Sequence, residues 1–591
     1  MRIKWFSVVR VTGLLLVLLY HYFKTLFPGG FIGVDIFFTF SGYLITALLL
    51  DEFSRSGKVD YKSFLRRRFY RIVPPLVLMV LVVMPFTFFV KRDFVADIGR
   101  QIATTLGFTT NVYEIWIGAN YENQFIPHLF LHTWSLAVEV HFYVLWGLVV
   151  WLISRRMKRS AQLRGILFLT SGAFFIISYL TMFVGAFLTT NVSNLYFSSL
   201  AHAFPFFAGS FLATITGISD IPKNFQRQIA NRPLKHLFIA LGISSAMLLL
   251  LSLFLDYNHM FTYLLGFLAA SACACVMIYC TRILHDKWQG WDEPKALTFL
   301  SDTSYGVYLF HWPFYVIFSQ FMPLGFTVFF TTVFSLVFAS LSYYVIEPIL
   351  IGKEPSILGV NLDWRAYKKP LVVTLTGLVL VTLGITLFAP KVGSFETNLI
   401  GDRLTQANTN LSRTHTLAAG DATAISDIVI IGDSVTLRAN DALVAALPEA
   451  QIDSEVSRNF DLAYDVFKNQ VDNGSLAKTV VIAVGVNSLY NYKEDIDQFV
   501  EALPEGHRLV LVTPYNSKDG RVLEVHNYEL SLEEKYSYVT VADWYQAALD
   551  NPKIWNGSDG VHFSDATTDG AKLYAQTIEK AIEAAAKKAA K

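Results

Sequence analysis

The sequence is poor in charged residues. Asp, Glu, Lys and Arg make up 16% of the chain and 53% is hydrophobic, whereas an ordinary soluble domain has about 25% charged residues. This deficit excludes a water-soluble protein of such length and indicates a polytopic membrane protein. The formal net charge is only +1, so nothing in the charge balance suggests a nucleic-acid partner.

Cysteine is nearly absent. Cys273, Cys275 and Cys280 all lie within one apolar run, which favours side chains of an apolar helix over a disulfide framework or a zinc site. A small-residue cleavage site of the secretory type is also lacking at the N-terminus. Because further apolar runs follow, we interpret the first run as a membrane helix rather than a cleaved signal peptide.

Long hydrophobic runs are abundant before about residue 391. Each has about 20 residues, enough to cross a hydrocarbon core of ~30 Å as a helix. They predict eleven transmembrane helices, at 5–26, 31–50, 72–90, 132–153, 164–188, 197–217, 236–256, 260–281, 298–320, 325–350 and 370–390. We assign 1–350 to a membrane domain and 351–390 to a loop with a final helix.

Positive charge alternates between the connections. If the N-terminus is cytoplasmic, the inner loops are rich in Lys and Arg, as cytoplasmic loops should be; these loops are 51–71, 154–163, 218–235, 282–297 and 351–369. The outer connections 189–196, 257–259 and 321–324 contain no Lys or Arg. The pattern predicts a multi-pass plasma-membrane protein, embedded in lipid, with an extracellular C-terminal domain.

The composition changes after the last apolar run. Residues 391–426 are rich in Ser, Thr, Ala, Asn and Gly, which predicts a linker. Beyond it, β-rich runs alternate with helical stretches, the last at about 566–588; the runs are Ile428–Ile431, Val480–Val484, Leu509–Val512 and Val539–Val541. This alternation predicts that 427–591 is an α/β domain with a parallel sheet.

Three motifs in this α/β domain contain groups suited to catalysis. Ser434 follows the first strand, where parallel sheets bind ligands, and could be a nucleophile, unless Asp433 or Ser434 merely caps the next helix. Asn487 follows the second strand and could donate to an oxyanion, or belong to an ordinary turn. Asp559 precedes His562 by three positions and could orient it as a base, unless the segment is a polar surface loop.

Taken together and in this order, the three motifs resemble the SGNH hydrolase family over about 425–590. The resemblance implies that Ser434 is the nucleophile, His562 its base and Asp559 the partner that orients the base. It also implies that Asn487 is an oxyanion donor. A second block of the family contributes a backbone N–H from a small residue, usually Gly. Ser457 occupies this block here, and a serine still offers its N–H.

Arg10 and His21 lie in the first apolar run. Their spacing leaves them about 20° apart around a helix and roughly 16 Å apart along its axis. Ionisable residues inside a membrane usually face the bundle interior and mark a site. Arg10 could instead snorkel to the inner interface, and His21 could lie at the outer one. His128 and His132 are four residues apart, but no third ligand has suitable spacing, so we expect no metal.

Other polar residues interrupt the apolar runs, namely Asp35, Glu139, His141, His202, His311 and Glu347. The strings around them, together with Arg67-Arg68-Phe-Tyr-Arg71, resemble the acyltransferase-3 family over about 1–350. This resemblance implies catalytic roles for Arg10, His21 and Glu139. It also implies substrate or cofactor binding by Arg68, Arg71, Asp35 and His311. Where the family often has a second Glu after Glu139, this chain has Val140.

The fusion of the two domains resembles the OatA-type peptidoglycan O-acetyltransferases. This resemblance implies that acetyl-CoA donates on the cytoplasmic side and that the helix bundle passes acetyl to Ser434. A sugar hydroxyl, such as the C6 hydroxyl of N-acetylmuramic acid in peptidoglycan, then accepts it. Alternatives are an acetyltransferase of another exported polysaccharide, an extracellular acetyl esterase, and a transporter or sensor that only binds glycan. The sequence does not fix the oligomeric state.

Overall fold

The structure is a computed structural model that divides into two compact units, Met1–Lys391 and Val392–Lys591. It describes residues 3–118, 126–189, 191–288, 290, 292–357, 360–361, 363–365, 368–418, 427–489, 491–517, 519–555, 558–564 and 567–591.

The first unit is helical, apart from a two-stranded antiparallel pair, β1 (Ser356–Ile357) and β2 (Val360–Asn361). Its α-helices are α1 (Phe6–Tyr22), α2 (Gly33–Ser56), α3 (Tyr61–Val83), α4 (Ile98–Leu106), α5 (Thr110–Trp116), α6 (Trp134–Ser154), α7 (Ser160–Leu188), α8 (Ser193–Phe197), α9 (Phe204–Thr216), α10 (Lys223–Asn231), α11 (Leu234–Phe254), α12 (Phe267–Lys287), α13 (Lys295–Phe318), α14 (Leu324–Leu341), α15 (Glu347–Leu350) and α16 (Lys368–Phe388).

Short turns of other helix types lie between these elements. The 3-10 turns are Gly30–Ile32, Met84–Phe89, Arg92–Val95, Leu131–Thr133 and Ala201–Ala203, and the π-helical turns are Thr262–Gly266 and Ser342–Ile346.

Eight helical segments among the described residues are long and apolar enough to cross a membrane. They are Gly30–Ser56, Tyr61–Phe89, Leu131–Ser154, Ser160–Leu188, Leu234–Phe254, Thr262–Lys287, Leu324–Leu350 and Lys368–Phe388. This confirms the predicted multi-pass membrane unit. The predicted count of eleven is not confirmed, because α1 and Ala201–Thr216 are shorter apolar helices and α13 is not among the eight. The orientation of the termini therefore stays a prediction.

Helices α2 and α9 approach each other closely through glycine. A Cβ on Gly42 would lie 1.9 Å from the Phe206 carbonyl oxygen, and one on Gly209 would lie 1.8 Å from the Thr39 carbonyl oxygen. Small residues allow this kind of backbone contact between membrane helices. The two glycines therefore fix the position of α2, which contains Asp35 and Ser41.

The second unit alternates strands and helices, as predicted. Its elements are α17 (Ser394–Ala418), β3 (Ile428–Gly432), α18 (Ser434–Arg438), α19 (Asn440–Ala446), β4 (Gln451–Ser454), α20 (Phe460–Asp472), β5 (Thr479–Ala483), α21 (Tyr492–Ala502), β6 (Arg508–Val512), α22 (Val522–Lys535), β7 (Val539–Ala542), α23 (Trp544–Asp550), a 3-10 turn (Pro552–Trp555) and α24 (Asp569–Ala586).

Five strands form one parallel sheet in the order β4-β3-β5-β6-β7. Residues on both faces of β3 are buried; Val429 and Ile431 belong to the core cluster that includes residues of α20, α21 and α22, and Ile430 is also fully buried. This is the expected arrangement for a parallel sheet covered by helices on both faces. In register, Gly432 lies opposite Ser454 on β4 and Ala483 on β5, so these strands end together.

The segment predicted as a linker contains a helix. Residues 394–418 form α17, and the last part of the predicted linker, 419–426, lies outside the described residues. Asp402 accepts a hydrogen bond from Arg438 at 2.6 Å, and the Gln406 amide donates to the Ser454 carbonyl oxygen at 3.0 Å. A polar composition alone suggested a linker, but these contacts give the polar side chains of the helix specific partners.

Candidate active site

Ser434, His562 and Asp559 form a hydrogen-bonded chain in the second unit. Ser434 Oγ lies 2.8 Å from His562 Nε2, and His562 Nδ1 lies 2.7 Å from Asp559 Oδ2. Asp559 Oδ1 accepts hydrogen bonds from the Val561 N–H at 2.9 Å and from the His562 N–H at 2.7 Å. The carboxylate thus fixes both the loop and the imidazole, and the imidazole faces the serine hydroxyl as a general base requires.

The turn before Ser434 explains why the motif is Gly-Asp-Ser. Asp433 caps α18, since its Oδ1 accepts from the Val435 N–H at 2.9 Å, and Ser434 is the first residue of that helix. A Cβ on Gly432 would lie 2.3 Å from Thr436 Oγ1, so only glycine fits there without displacement. Asp433 is thus the helix cap, and the Ser434 hydroxyl is placed against His562.

The two carboxyl groups of this site have opposite pKa shifts. Burial raises the pKa of Asp433 to about 6, despite the hydrogen bond from Val435 and the nearby His562. Burial also acts on Asp559, but hydrogen bonds from His562 and two backbone N–H groups outweigh it and hold the pKa of Asp559 below its ordinary value. Asp559 is therefore the carboxylate that remains charged beside the imidazole.

The two residues proposed for the oxyanion hole lie on loops after β4 and β5. Ser457 has a φ of 62°, in the left-handed region that favours glycine, which fits a position where the SGNH hydrolase family usually has Gly. The Asn487 amide donates to the Arg458 carbonyl oxygen at 3.2 Å. A side-chain amide has two N–H donors, so this bond leaves Asn487 one donor for an oxyanion.

The first unit contains a cavity of about 160 Å³. Arg10, Arg68, Arg71 and Glu139 all line it, together with Ser41, Tyr143 and Tyr308. The Arg10 guanidinium lies over the Phe40 ring, 5.0 Å from its centroid, and Arg71 donates to Glu347 at 2.6 Å. Four of the predicted membrane-site residues therefore share one cavity, and three of its four charged lining residues are arginines.

Glu139 is held by a short hydrogen-bond chain that the sequence did not reveal. The Tyr143 hydroxyl, one helical turn further along α6, donates to Glu139 Oε1, and it lies 2.7 Å from Ser41 Oγ on α2. Another pair that lines the cavity is Tyr308 and Ser135, with 2.6 Å between the Tyr308 hydroxyl and Ser135 Oγ. Spacing by four residues could have suggested the Glu139–Tyr143 pair, but nothing in the sequence places Ser41 beside it.

The other predicted membrane residues do not line this cavity. His21 Nδ1 lies 2.9 Å from His311 Nε2, so these two histidines form a pair of their own. Asp35 is fully buried against His202, with 3.1 Å between Asp35 Oδ1 and His202 Nε2. Arg10 and His21 extend from one helix, as predicted, but only Arg10 lines the cavity. Among the described residues, no group of three or more His, Cys, Asp or Glu side chains is arranged to hold a metal ion.

Comparison with known proteins identifies the class. Residues 3–347, more than half of the chain, match the family model described as an acyltransferase domain. The chain therefore belongs to this acyltransferase family, and the protein is an enzyme of that class.

Individual relatives cover the rest of the chain as well. The O-acetyltransferase OatA of Staphylococcus aureus strain MRSA252 is 27% identical over 592 residues, covering 97% of this chain and 95% of that relative. OatA of strain NCTC 8325 / PS 47 has the same identity and coverage. A solved structure of the Streptococcus pneumoniae peptidoglycan O-acetyltransferase A (OatA) C-terminal catalytic domain, with a methylsulfonyl adduct, is 46% identical; it covers 28% of this chain and 98% of that chain, with a TM-score of 0.28.

Proposed function

We propose that this acyltransferase moves acetyl from cytoplasmic acetyl-CoA through its membrane unit to Ser434, and from Ser434 to a hydroxyl of a cell-wall glycan. The observation that carries the proposal is the hydrogen-bonded Ser434–His562–Asp559 set in a chain whose residues 3–347 match an acyltransferase domain. We further propose that the glycan is peptidoglycan and that the acceptor is the C6 hydroxyl of N-acetylmuramic acid.

The chemistry at Ser434 would have two halves. In the first, Ser434 Oγ attacks the acetyl carbonyl carbon while His562 Nε2 takes the hydroxyl proton, and the donor's leaving group departs with that proton. In the second, the sugar hydroxyl loses its proton to His562 and attacks the acyl-serine, and Ser434 regains the proton as it leaves. Asn487 and the Ser457 N–H would stabilise the oxyanion in both halves.

The cavity of the membrane unit is our candidate for the acetyl-CoA end of this route. Arg10, Arg68 and Arg71 supply guanidinium groups, which bind phosphate and carbonyl oxygens through several N–H donors. Coenzyme A is too highly charged to cross hydrocarbon, so a cytoplasmic donor and an external acceptor need separate sites. Under this proposal the N-terminus is cytoplasmic and the second unit is extracellular.

Two lines of support favour a transferase for glycan over the alternatives. The Staphylococcus aureus relative is an O-acetyltransferase that aligns with nearly the whole chain, membrane unit included. An esterase that uses water would not need an acyltransferase domain in the same chain. The combined resemblance to OatA-type enzymes supports peptidoglycan over another exported polysaccharide.

Replacing Ser434 with Ala tests the proposal directly. We expect the rate of acetyl transfer to the cell wall to fall by about 10⁶-fold, because an alanine at this position cannot form the acyl-enzyme. Ester-linked acetate would be measured on purified cell wall, and the modified sugar identified by mass spectrometry. The matched control is Ser475→Ala, at an exposed turn before β5, which should retain full acetylation.

Three results would each contradict a specific part of the proposed function. Full acetylation in Ser434→Ala would refute the serine relay. Acetate on a wall polysaccharide but not on muramic acid would refute the peptidoglycan acceptor. Ser434-dependent loss of acetyl groups from the wall, rather than gain, would identify an esterase.

A further inference from the structure

Arg458 is a buried cation that none of the three catalytic motifs contains. Only 4% of its surface is exposed. Its guanidinium donates from Nη1 to the Asp453 carbonyl oxygen at 2.6 Å and to the Gly432 carbonyl oxygen at 3.3 Å, and from Nη2 to Asp453 Oδ1 at 2.8 Å. A buried charge is tolerated where such bonds and opposite charges compensate its desolvation.

These bonds bring three strand ends to one residue. Gly432 ends β3 and directly precedes Asp433 and Ser434, while Asp453 belongs to β4, which leads into the turn of Ser457. The backbone carbonyl of Arg458 accepts the Asn487 amide from the loop after β5. Arg458 is thus hydrogen bonded to Gly432, which precedes Ser434 by two residues, and to Asn487 itself. It also follows Ser457 directly in the chain.

The Ser457 turn needs a support of this kind. Its φ of 62° is a conformation that side chains other than glycine adopt reluctantly, so surrounding contacts must hold it. Arg458 follows Ser457 directly, and its guanidinium reaches back to Asp453 and Gly432. The planar fork of an arginine can bond several fixed acceptors at once, which a lysine ammonium cannot do with the same geometry.

We propose that Arg458 is a positioning residue for acyl transfer at Ser434: it fixes the Ser457 turn and the Asn487 side chain relative to the nucleophile. The proposal rests on the proposed function, because it concerns the same acyl-serine chemistry. Arg458 acts through its neighbours, so its loss weakens stabilisation of the oxyanion, which forms only during reaction. The effect therefore falls on kcat rather than KM.

The test uses the full-length protein in detergent with p-nitrophenyl acetate, an activated ester that can acylate Ser434 without the membrane route. For Arg458→Ala we expect kcat to fall by about 10- to 100-fold, the usual effect of losing a supporting contact, with KM within about twofold of the parent. Millimolar guanidinium chloride should restore part of kcat by occupying the vacated space. Arg458→Lys keeps the charge but not the fork, and should also have a reduced kcat.

The matched control is Arg508→Ala. Arg508 donates to the Lys588 carbonyl oxygen at 3.0 Å from the start of β6, the end of the strand away from the loops that follow it. Its loss should lower the unfolding temperature without changing kcat or responding to guanidinium.

The outcomes separate the two proposals. If Arg458→Ala does not fold, Arg458→Lys decides, and a Lys variant with parental kcat overturns the positioning role. The positioning role is also overturned if a folded Arg458→Ala variant has the parental kcat. The same holds if only KM changes, or if Arg508→Ala lowers kcat equally. If instead Ser434→Ala keeps the hydrolysis of the ester, the proposed function fails, whatever Arg458 does.

Discussion

The two units build their polar sites in different ways. In the second unit, Ser434, His562 and Asp559 are joined directly by hydrogen bonds of 2.7–2.8 Å. Ser434 follows β3 directly, and the other two residues lie between the 3-10 turn Pro552–Trp555 and α24. In the first unit, Arg10, Arg68 and Glu139 line a cavity from three different helices, α1, α3 and α6. The hydrogen-bonded set of the second unit has the geometry that nucleophilic catalysis requires. The cavity of the first unit only brings charged side chains together. Geometry therefore identifies the chemistry of the second unit more closely than that of the first.

The largest expected effect that tests this contrast is on the triad. Asp559→Asn keeps the size of the side chain but removes the charge that holds His562 in the required tautomer, so kcat should fall by about 10⁴-fold. Hydrolysis of p-nitrophenyl acetate measures it. Asp550→Asn, at an exposed position, is the control and should be unaffected. A loss below about 100-fold, the lower end of what general acid–base catalysis contributes, would mean that Asp559 does not orient the base.

The next effect separates the two units. Replacing Arg10 or Glu139 with Gln should lower acetylation from acetyl-CoA by about 10²- to 10³-fold, because each removes a charge from the cavity wall. The same variants should hydrolyse p-nitrophenyl acetate at the parental rate, since that reaction needs only the site of the second unit. Transfer from radiolabelled acetyl-CoA in proteoliposomes is the measurement, with the exposed Arg156→Gln as control. Parallel losses in both assays would show that the units do not act separately.

A third prediction concerns the pH dependence of stability in the second unit. Asp433 has its pKa raised from 3.8 to about 6, so between these values the folded unit holds a proton that the unfolded chain releases. The unfolding free energy therefore decreases as pH rises through this window. Asp433→Asn removes this pH dependence. Between pH 4 and 7 its unfolding free energy should rise relative to that of the parent by about 3 kcal/mol at most.

Urea unfolding of the second unit at several pH values measures this gain. Asp441→Asn, on the following helix α19, is the control and should show no such gain. A gain that is the same at pH 4 and pH 7 would mean that Asp433 does not change its protonation in this range.

The smallest effect tests α17. Gln406→Ala removes an amide that donates to the Ser454 carbonyl oxygen of β4, and should cost about 1 kcal/mol of unfolding free energy. Leu404→Ala, on the same helix but 62% exposed, is the control and should change stability less. Equal effects would indicate that the helix does not depend on its contact with β4.

The sequence predicted the site of the second unit better than that of the first unit for a physical reason. Ser434, Asp559 and His562 stand in short motifs, and Ser434 lies at the carboxyl end of a parallel strand, where such sheets bind ligands. The strand β4 was missed because Gln451-Ile-Asp-Ser is short and polar, as edge strands can be. Arg458 was missed because its partners come from β3 and β4, which no local pattern connects.

In the membrane unit, the sequence identified polar residues but not their grouping. A polar residue in an apolar run predicts a buried partner or a site, and does not distinguish between them. Asp35 has a partner, His202, and His21 pairs with His311, whereas Arg10 and Glu139 line the cavity. That distinction depends on which helices are neighbours, and helix periodicity alone does not determine it.

The contact of α17 with β4 also bears on how one molecule meets another. As one of the two edge strands, β4 has carbonyl groups that a strand from a second chain could use for pairing. Gln406 donates to the carbonyl of Ser454 and Asn410 to that of Ile452, at 3.0 and 3.4 Å. Two side chains one helical turn apart thus occupy the acceptors that a foreign strand would need. In this way α17 covers part of the edge of the sheet that β4 forms.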